Sequence, residues 1–131
     1  ENMKDYFCTR RVPKNVWLGV TVESKEYKDR INDLREVKSK IKFLSLEPLL
    51  GDLGALDLRN IDWIIVGGES GVKGRPMKKE WVIPILIQAK KNNIAFFFKQ
   101  WGKWGADGVK RSKKANGKLI NGKVYQEMPK K

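Results

Sequence analysis

Four short segments of the chain are apolar on both of their faces. They are VWLGVTVES (16–24), IKFLSLEPLL (41–50), IDWIIVGGES (61–70) and IAFFFKQWG (94–102). Each is rich in β-branched or aromatic residues and lacks the strict alternation of a half-exposed strand, a pattern typical of parallel strands covered on both sides. This feature predicts an α/β protein built on a parallel sheet of four strands.

The connections between these segments predict the helices. KEYKDRINDLREVKSK (25–40) repeats apolar residues at three- and four-residue spacing, which predicts a surface helix with Ser24 as its N-cap. KKEWVIPILIQAKKNN (78–93) predicts a second helix, in which Pro84 is tolerable only near the first turn. PLLGDLGALDLRN (48–60) has poor helical periodicity, so we expect a loop or one short helical turn that still leads to a parallel neighbour.

The end of the chain has a different character. Residues 103–131 are polar, basic and rich in glycine, and Asn121-Gly122 lies between alternating residues there. This dipeptide predicts a β-hairpin with a type I′ turn. We therefore expect an N-terminal extension (1–14), a β/α unit (15–102) and a basic tail with a C-terminal β-hairpin (103–131).

The composition narrows the class of protein. The 131 residues suit one domain, and Cys8 is the single cysteine in a chain without histidine. An internal disulfide, a metal site ligated by cysteines of this chain alone and a Ser-His-Asp triad are thereby excluded. The sequence contains neither an apolar segment of membrane-spanning length nor a signal peptide, so we expect a cytoplasmic protein without membrane contact.

The charge points to an acidic partner. Lys+Arg number 28 and Asp+Glu 15, which gives a net charge of +13. Such an excess favours contact with nucleic acid, although a solvated lysine-rich surface gives the same composition.

Polar residues lie at the carboxyl end of each of the four predicted strands. They are Glu23, Glu47, Glu69, Lys99 and Gln100. Because the carboxyl ends of parallel strands meet at one edge, these side chains are expected to share a cleft that binds a cofactor or substrate. The alternative is that strand ends simply turn into polar loops and that Glu23 lies at a helix start, where a carboxylate favours the dipole.

Two stretches extend this prediction. In GGESGVKGRP (67–76), the backbone of Gly67 and Gly68, with Ser70 and Arg75, could approach a carboxylate or phosphate of a ligand while Glu69 accepts from an amine. The alternative is a plain glycine turn.

FFFKQWGKWG (96–105) interleaves Lys99 and Lys103 with Trp101 and Trp104. Lysine side chains that alternate with indole rings suit phosphate contact and stacking on nucleobases. The alternative is that these tryptophans pack the tail onto the sheet.

The ordered blocks NVWLGVTVES, FLSLEPLLG, IDWIIVGGESG followed by RPM, FFFKQWG and GKLINGKVYQEMP resemble the C-terminal half of a phage- and prophage-associated family of unknown function. Members of that family are similar to radical S-adenosylmethionine proteins. The resemblance implies a barrel-type fold and, for the full-length family only, S-adenosylmethionine and a [4Fe-4S] cluster held by a three-cysteine motif. This chain lacks that motif, so we expect it to bind neither cofactor by itself.

Four strands are half of an eight-stranded barrel, which takes about 250 residues. We therefore expect a partial, half TIM-type β/α barrel with uncovered edges, completed as a homodimer or by a missing N-terminal half. Two functions stay open. The chain is either the substrate- and cofactor-side part of a radical-S-adenosylmethionine-like protein, or a non-catalytic phage or mobile-element accessory module that binds nucleic acid or a host protein. In both cases this chain alone is not expected to be catalytic.

Overall fold

The structure, a computed structural model, describes residues 16–129. The predicted N-terminal extension (1–14) and Cys8 lie outside the described residues. The strands are β1 (Trp17–Thr21), β2 (Ile41–Leu46), β3 (Trp63–Val66) and β4 (Ala95–Phe98). The helices are α1 (Asp29–Glu36), α2 (Lys79–Lys91) and the short α3 (Lys113–Asn116), and a 3-10 turn, Lys25–Tyr27, precedes α1.

The four strands form one parallel sheet in the order β1-β2-β3-β4, as the sequence predicts. The register aligns the strands in rows that run across the sheet. One such row is Thr21, Ser45, Ile65 and Phe97. The fold is therefore a mixed α/β fold in which neighbours in the sequence are neighbours in the sheet.

One face of the sheet is covered by the two long helices. Its alternate side chains are almost fully buried: Leu44, Leu46, Ile64, Val66, Phe96 and Phe98. Helix α1 contributes Ile31 and Leu34 to this core, and α2 contributes Val82, Ile85, Leu86 and Ala89. Full burial of such a side chain stabilises the fold by about 1.5–3 kcal/mol, so this face carries most of the apolar driving force.

The helices depart from the sequence prediction at their first turns. Ser24 precedes the 3-10 turn, and its hydroxyl donates to Glu26 instead of capping a backbone N–H. Pro84 lies inside α2, five residues after Lys79, which places it in the second turn and not the first. The carbonyl of Glu80, which a residue with an N–H at position 84 would bond, lies on an exposed residue where water can satisfy it.

The connection between β2 and β3 (residues 47–62) contains no helix and still covers the core. It buries Leu49, Leu53, Leu58 and Ile61. Its carbonyls are held by side chains from α1 and the residue before it: Arg35 donates to the oxygen of Arg59 at 2.8 Å, and Lys28 donates to that of Ala55 at 2.8 Å. The segment is therefore an ordered loop that takes the place of a crossover helix.

The C-terminal residues pair with the outer edge of β4. The N–H of Phe98 donates to Tyr125 at 2.7 Å, and that of Glu127 donates to Phe96 at 3.1 Å. Residues 125–127 thus run antiparallel to β4. The predicted type I′ turn is present, with φ of 49° at Asn121 and 80° at Gly122. A single bridge closes it, so the turn is confirmed, but the predicted hairpin strands are replaced by pairing with β4.

The second face of the sheet is only partly covered by the described residues. Trp63 contacts Trp17 edge to face at 5.8 Å and Phe97 at 6.2 Å, and Trp17 is 38% exposed. The indole N–H of Trp63 donates to the carbonyl of Glu127 at 2.9 Å. No described strand pairs with the outer edge of β1. We call this second face the open face.

Among residues 16–129, no helix is both long and apolar enough to cross a membrane.

Candidate functional site at the carboxyl edge of the sheet

The register places predicted site residues in one row at the carboxyl edge. Two residues beyond Thr21, Ser45, Ile65 and Phe97, the strands continue to Glu23, Glu47, Gly67 and Lys99. Backbone bonds carry the ladder to this level, since Gly67 donates to Leu46 at 3.3 Å and Lys99 donates to Val66 at 2.8 Å. Because side chains alternate along a strand, this row projects from the open face. We call these four residues the carboxyl row.

Glu47 is the centre of this row. Its Oε1 accepts from Lys99 Nζ at 3.0 Å, and its Oε2 accepts from Gln100 Nε2 at 3.1 Å. Gln100 is 8% exposed and also donates to the carbonyl of Gly68 at 3.0 Å. Both oxygens of the carboxylate are therefore held in place by β4, although Glu47 projects from β2.

Gly67 makes this contact possible. Lys99 and Glu47 lie on strands separated by β3, a distance of about 10 Å between strand axes. A Cβ atom at Gly67 would lie 2.8 Å from Glu47 Oε2 and 3.2 Å from Gln100 Nε2. The missing side chain on the middle strand leaves the space in which the three polar groups meet.

Gly67 and Gly68 do not present free N–H groups to a ligand. The N–H of Gly67 bonds Leu46, and that of Gly68 bonds Gln100 at 2.9 Å. A Cβ atom at Gly68 would lie only 1.8 Å from the carbonyl oxygen of Trp101. These glycines therefore serve close packing at the strand ends, and the expected backbone approach to a carboxylate or phosphate has no free donor there.

Glu69 is engaged by Arg75. The guanidinium donates to both carboxylate oxygens at 3.1 and 2.7 Å, and the backbone N–H of Arg75 adds a third bond at 3.1 Å. These hydrogen bonds hold the pKa of Glu69 below its ordinary value and raise the pKa of Arg75. Ser70 lies exposed just beyond Glu69. The pair fixes the loop after β3, and an amine that binds Glu69 would have to compete with Arg75.

Glu23 is the open carboxylate of the carboxyl row. It is half-buried, and within residues 16–129 its carboxylate accepts no hydrogen bond, while its backbone carbonyl accepts from the N–H of Leu50 at 2.8 Å. Its charge contributes to the raised pKa of Arg75. The row thus combines one unoccupied acceptor with a carboxylate that is already neutralised by a lysine.

The predicted tryptophans behave differently from each other. Trp101 is 2% exposed, packs against Phe98 at 4.9 Å and donates its indole N–H to Leu119 at 2.8 Å. This favours the packing alternative for Trp101, because no face of its ring is available for stacking. Trp104 is half-buried and donates to Gly74 at 3.0 Å.

Sequence reasoning missed Thr21 and Ser45, which lie one row below Glu23 and Glu47. Both project from the open face and are half-buried. The signal that could have revealed them is the two-residue spacing in TVE and SLE. The open face is therefore aromatic near the amino ends of the strands and polar near the carboxyl ends.

The donor set was tested against a [4Fe-4S] cluster and a metal ion. A cluster of that kind needs several thiolates, and the chain has one cysteine. Within the described residues no three His, Cys, Asp or Glu side chains gather in a way that could hold a metal ion. The residues of this chain do not fit the cluster.

The fold and the site define a mixed α/β protein whose four-stranded parallel sheet carries a charged row at its carboxyl edge. Residues 1–129 match the family described as protein of unknown function (DUF5131), and the chain belongs to that family. No curated protein and no solved structure gives a significant match to the chain.

Proposed function

We propose that this chain is the C-terminal part of a phage-associated, radical-S-adenosylmethionine-like protein and that the carboxyl row lines its cofactor or substrate cavity. The observation that carries the proposal is the common placement of Glu23, Glu47 and Lys99 on the open face. In parallel β/α folds, binding sites are built at this end of the strands.

The distribution of polarity on the open face supports the same proposal. Aromatic side chains such as Phe43 and Trp63 fill the lower rows, and hydroxyl and charged groups fill the upper ones. The interior of a β/α barrel has this layout, with a packed floor and a polar mouth. The half TIM-type barrel is accordingly part of the proposal.

Within residues 16–129, one edge of the sheet is paired with another segment and the other edge is not. Residues 125–127 occupy the edge of β4, whereas the edge of β1 is free of any described strand. A second copy or an N-terminal half would therefore add at β1, next to Trp17. Its strands would continue the carboxyl row beyond Glu23.

The carboxyl row fits the amino-acid end of S-adenosylmethionine better than it fits the cluster. Glu23 offers a carboxylate acceptor for an ammonium group, whereas Lys99 is already paired with Glu47. When bound, S-adenosylmethionine supplies radical chemistry to proteins of this class. The cluster ligands would have to come from the added half, and the role of this chain would be to bind and orient.

The experiment is to sequence the reading frame upstream of the codon for Glu1 and to express the extended protein. We expect a cysteine-rich block and further β/α repeats, and a protein that shows [4Fe-4S] absorption after anaerobic reconstitution with iron and sulfide. This chain expressed alone is the matched control and should show no stable cluster. A start codon directly before Glu1, or a cluster in the isolated chain, would contradict the proposal.

A second candidate function is that of a basic accessory module of a phage or mobile element that binds nucleic acid or a host protein. The net charge of +13 supports it. This function needs neither the cysteines nor the carboxyl row.

A further inference from the structure

One compact segment of the described chain carries a high local density of positive charge. Residues 103–118 hold five lysines and one arginine against a single acid, Asp107. We call this segment the basic platform. Most of it is exposed.

The basic platform is folded and not a flexible tail. The backbone of Trp104 is bridged to that of Lys110, and the N–H of Arg111 donates to Lys103 at 2.9 Å. Asn116 donates to the carbonyl of Gly102 at 2.8 Å and closes the segment on itself. The lysines are therefore carried on fixed backbone, which lowers the entropy lost when they bind a ligand.

The only acid of the basic platform is already neutralised. Arg111 holds Asp107 through both oxygens at 2.9 and 2.6 Å, which lowers the pKa of Asp107 to about 2. Within residues 16–129, no acid forms an ion pair with the five lysines, which are Lys103, Lys110, Lys113, Lys114 and Lys118. Five unpaired cations remain in a short segment.

An aromatic ring lies among these cations. Trp104 keeps part of its indole exposed, and Lys110 Nζ lies 5.9 Å from the centre of the ring. Lysines that contact phosphates beside an indole that stacks on a base are the combination used to bind single strands. A duplex keeps its bases stacked on one another and would leave the indole without a free base face.

The basic platform also adjoins the carboxyl edge. The N–H of Lys103 donates to Glu69 at 3.0 Å, and Trp104 bonds Gly74 in the loop that carries Arg75. A single nucleic-acid strand bound to the basic platform would thus pass close to the carboxyl row.

We propose that the basic platform binds the phosphate backbone of single-stranded nucleic acid, with Trp104 stacking on one base. This rests on the second candidate function and names its site and its ligand. It keeps Lys103 and Trp104 from the sequence-based assignment, omits Lys99 and Trp101, and adds the lysines of residues 110–118.

The test is fluorescence anisotropy of a labelled single-stranded oligonucleotide of about 20 nucleotides with the full chain, between about 50 and 200 mM salt. The variant is Lys113→Gln with Lys114→Gln, two exposed positions whose side chains hold no described contact. The matched control is Lys38→Gln with Lys40→Gln, which removes the same charge at the amino end of β2.

We expect the platform variant to bind at least about fivefold more weakly and to lose about 1.4 from the salt slope, since each phosphate contact on a single strand contributes about 0.7. The control variant should keep the affinity and the salt slope of the wild type. Equal losses of affinity in the two variants would overturn the assignment of the basic platform as the binding site, while nucleic-acid binding by the chain would stand. Absence of salt-dependent binding by the wild-type chain would overturn the second candidate function as well. Tighter binding to vesicles of anionic lipid than to the oligonucleotide would overturn the choice of nucleic acid.

Discussion

At residue 67 the lack of a side chain lets groups from two non-adjacent strands meet. Glu47 projects from β2 and Lys99 from β4, and Gly67 between them leaves the space for their contact at 3.0 Å. Replacing a glycine usually stabilises a chain slightly through the unfolded state. Here the gain is outweighed, because a methyl group would push the carboxylate away from Lys99 and Gln100.

The variant Gly67→Ala should therefore lower the free energy of unfolding by about 1–3 kcal/mol, since the buried amide of Gln100 loses one of its two acceptors. Urea unfolding measures this change. Gly51→Ala is the control, because a Cβ atom there meets nothing within 4 Å. Equal stabilities for the two variants would show that the contact at Glu47 does not depend on residue 67.

The ion pair of Glu69 and Arg75 gives a pH-dependent contribution to stability. The hydrogen bonds from Arg75 lower the pKa of Glu69 in the folded state. The contribution is therefore present above the pKa of the unfolded carboxyl and is lost as the pH falls through the lower folded pKa. Arg75→Gln should be less stable than the wild type at pH 7, and the difference should vanish in acid.

Urea unfolding at neutral and acidic pH, with an NMR titration of the Glu69 carboxyl, measures both effects. Lys73→Gln is the control, because it removes an equal charge from the same exposed loop without touching the pair. A stability difference between Arg75→Gln and the wild type that persists in acid would contradict this assignment.

At the scale of elements, the loop of residues 47–62 depends on side chains from the helices that flank it. Gln88 of α2 accepts from the N–H of Leu56 at 2.7 Å and donates to the carbonyl of Gly54 at 3.1 Å. Gln88→Ala should lower the free energy of unfolding by about 1–3 kcal/mol and accelerate amide exchange at Leu56, because a partly buried N–H loses its acceptor. Hydrogen exchange followed by NMR measures the local effect.

The control for this variant is Lys91→Ala in the same helix, an exposed position without a described contact. It should leave exchange at Leu56 unchanged. Faster exchange at Leu56 in both variants would mean that α2 as a whole, and not Gln88, holds the loop.

The strands and both long helices follow from local patterns in the sequence. Apolar runs such as IIV and AFFF predict the positions of β3 and β4. The three- and four-residue spacing of apolar residues in α1 and α2 predicts which side of each helix is buried. The pairing of residues 125–127 with β4 could not be predicted, because it joins segments about thirty positions apart and competes with the local hairpin signal.

The site was predictable in its position and not in its contacts. The polar residues after the apolar runs lie at one edge, as the parallel order requires. The engagement of Glu69 by Arg75 and of Glu47 by Lys99 depends on loop geometry and on the gap at Gly67, which a residue pattern does not encode.

At the scale of the whole molecule, the edge of β1, with which no described strand pairs, and the open face lead us to expect association. Burial of apolar surface contributes about 25 cal/mol of free energy per Å². Physiological salt screens the repulsion between chains of like charge at separations beyond about 8 Å. The chain alone should therefore sediment as a dimer at micromolar concentration in physiological salt, through the surface at Trp17.

Trp17→Lys should shift the chain to a monomer in sedimentation velocity. Val72→Lys, which changes another exposed apolar residue, should not, because Val72 is 80% exposed in the loop after β3, away from the edge of β1. A wild-type chain that is already a compact monomer would contradict the expectation.

The affinity of the extended, reconstituted protein for S-adenosylmethionine tests the central proposal most directly. The carboxylate of Glu23 accepts no hydrogen bond from the described residues, so Glu23→Gln should remove a ligand contact with little effect on the fold. Glu80→Gln, at an exposed position in the first turn of α2, is the matched control. Isothermal titration should give an affinity about tenfold lower for Glu23→Gln, since a charged hydrogen bond is worth about 1.5–3 kcal/mol, with unchanged cluster absorption. Equal affinities for the wild type and for Glu23→Gln, with the cluster intact in both, would contradict the assignment of the carboxyl row to the cofactor cavity.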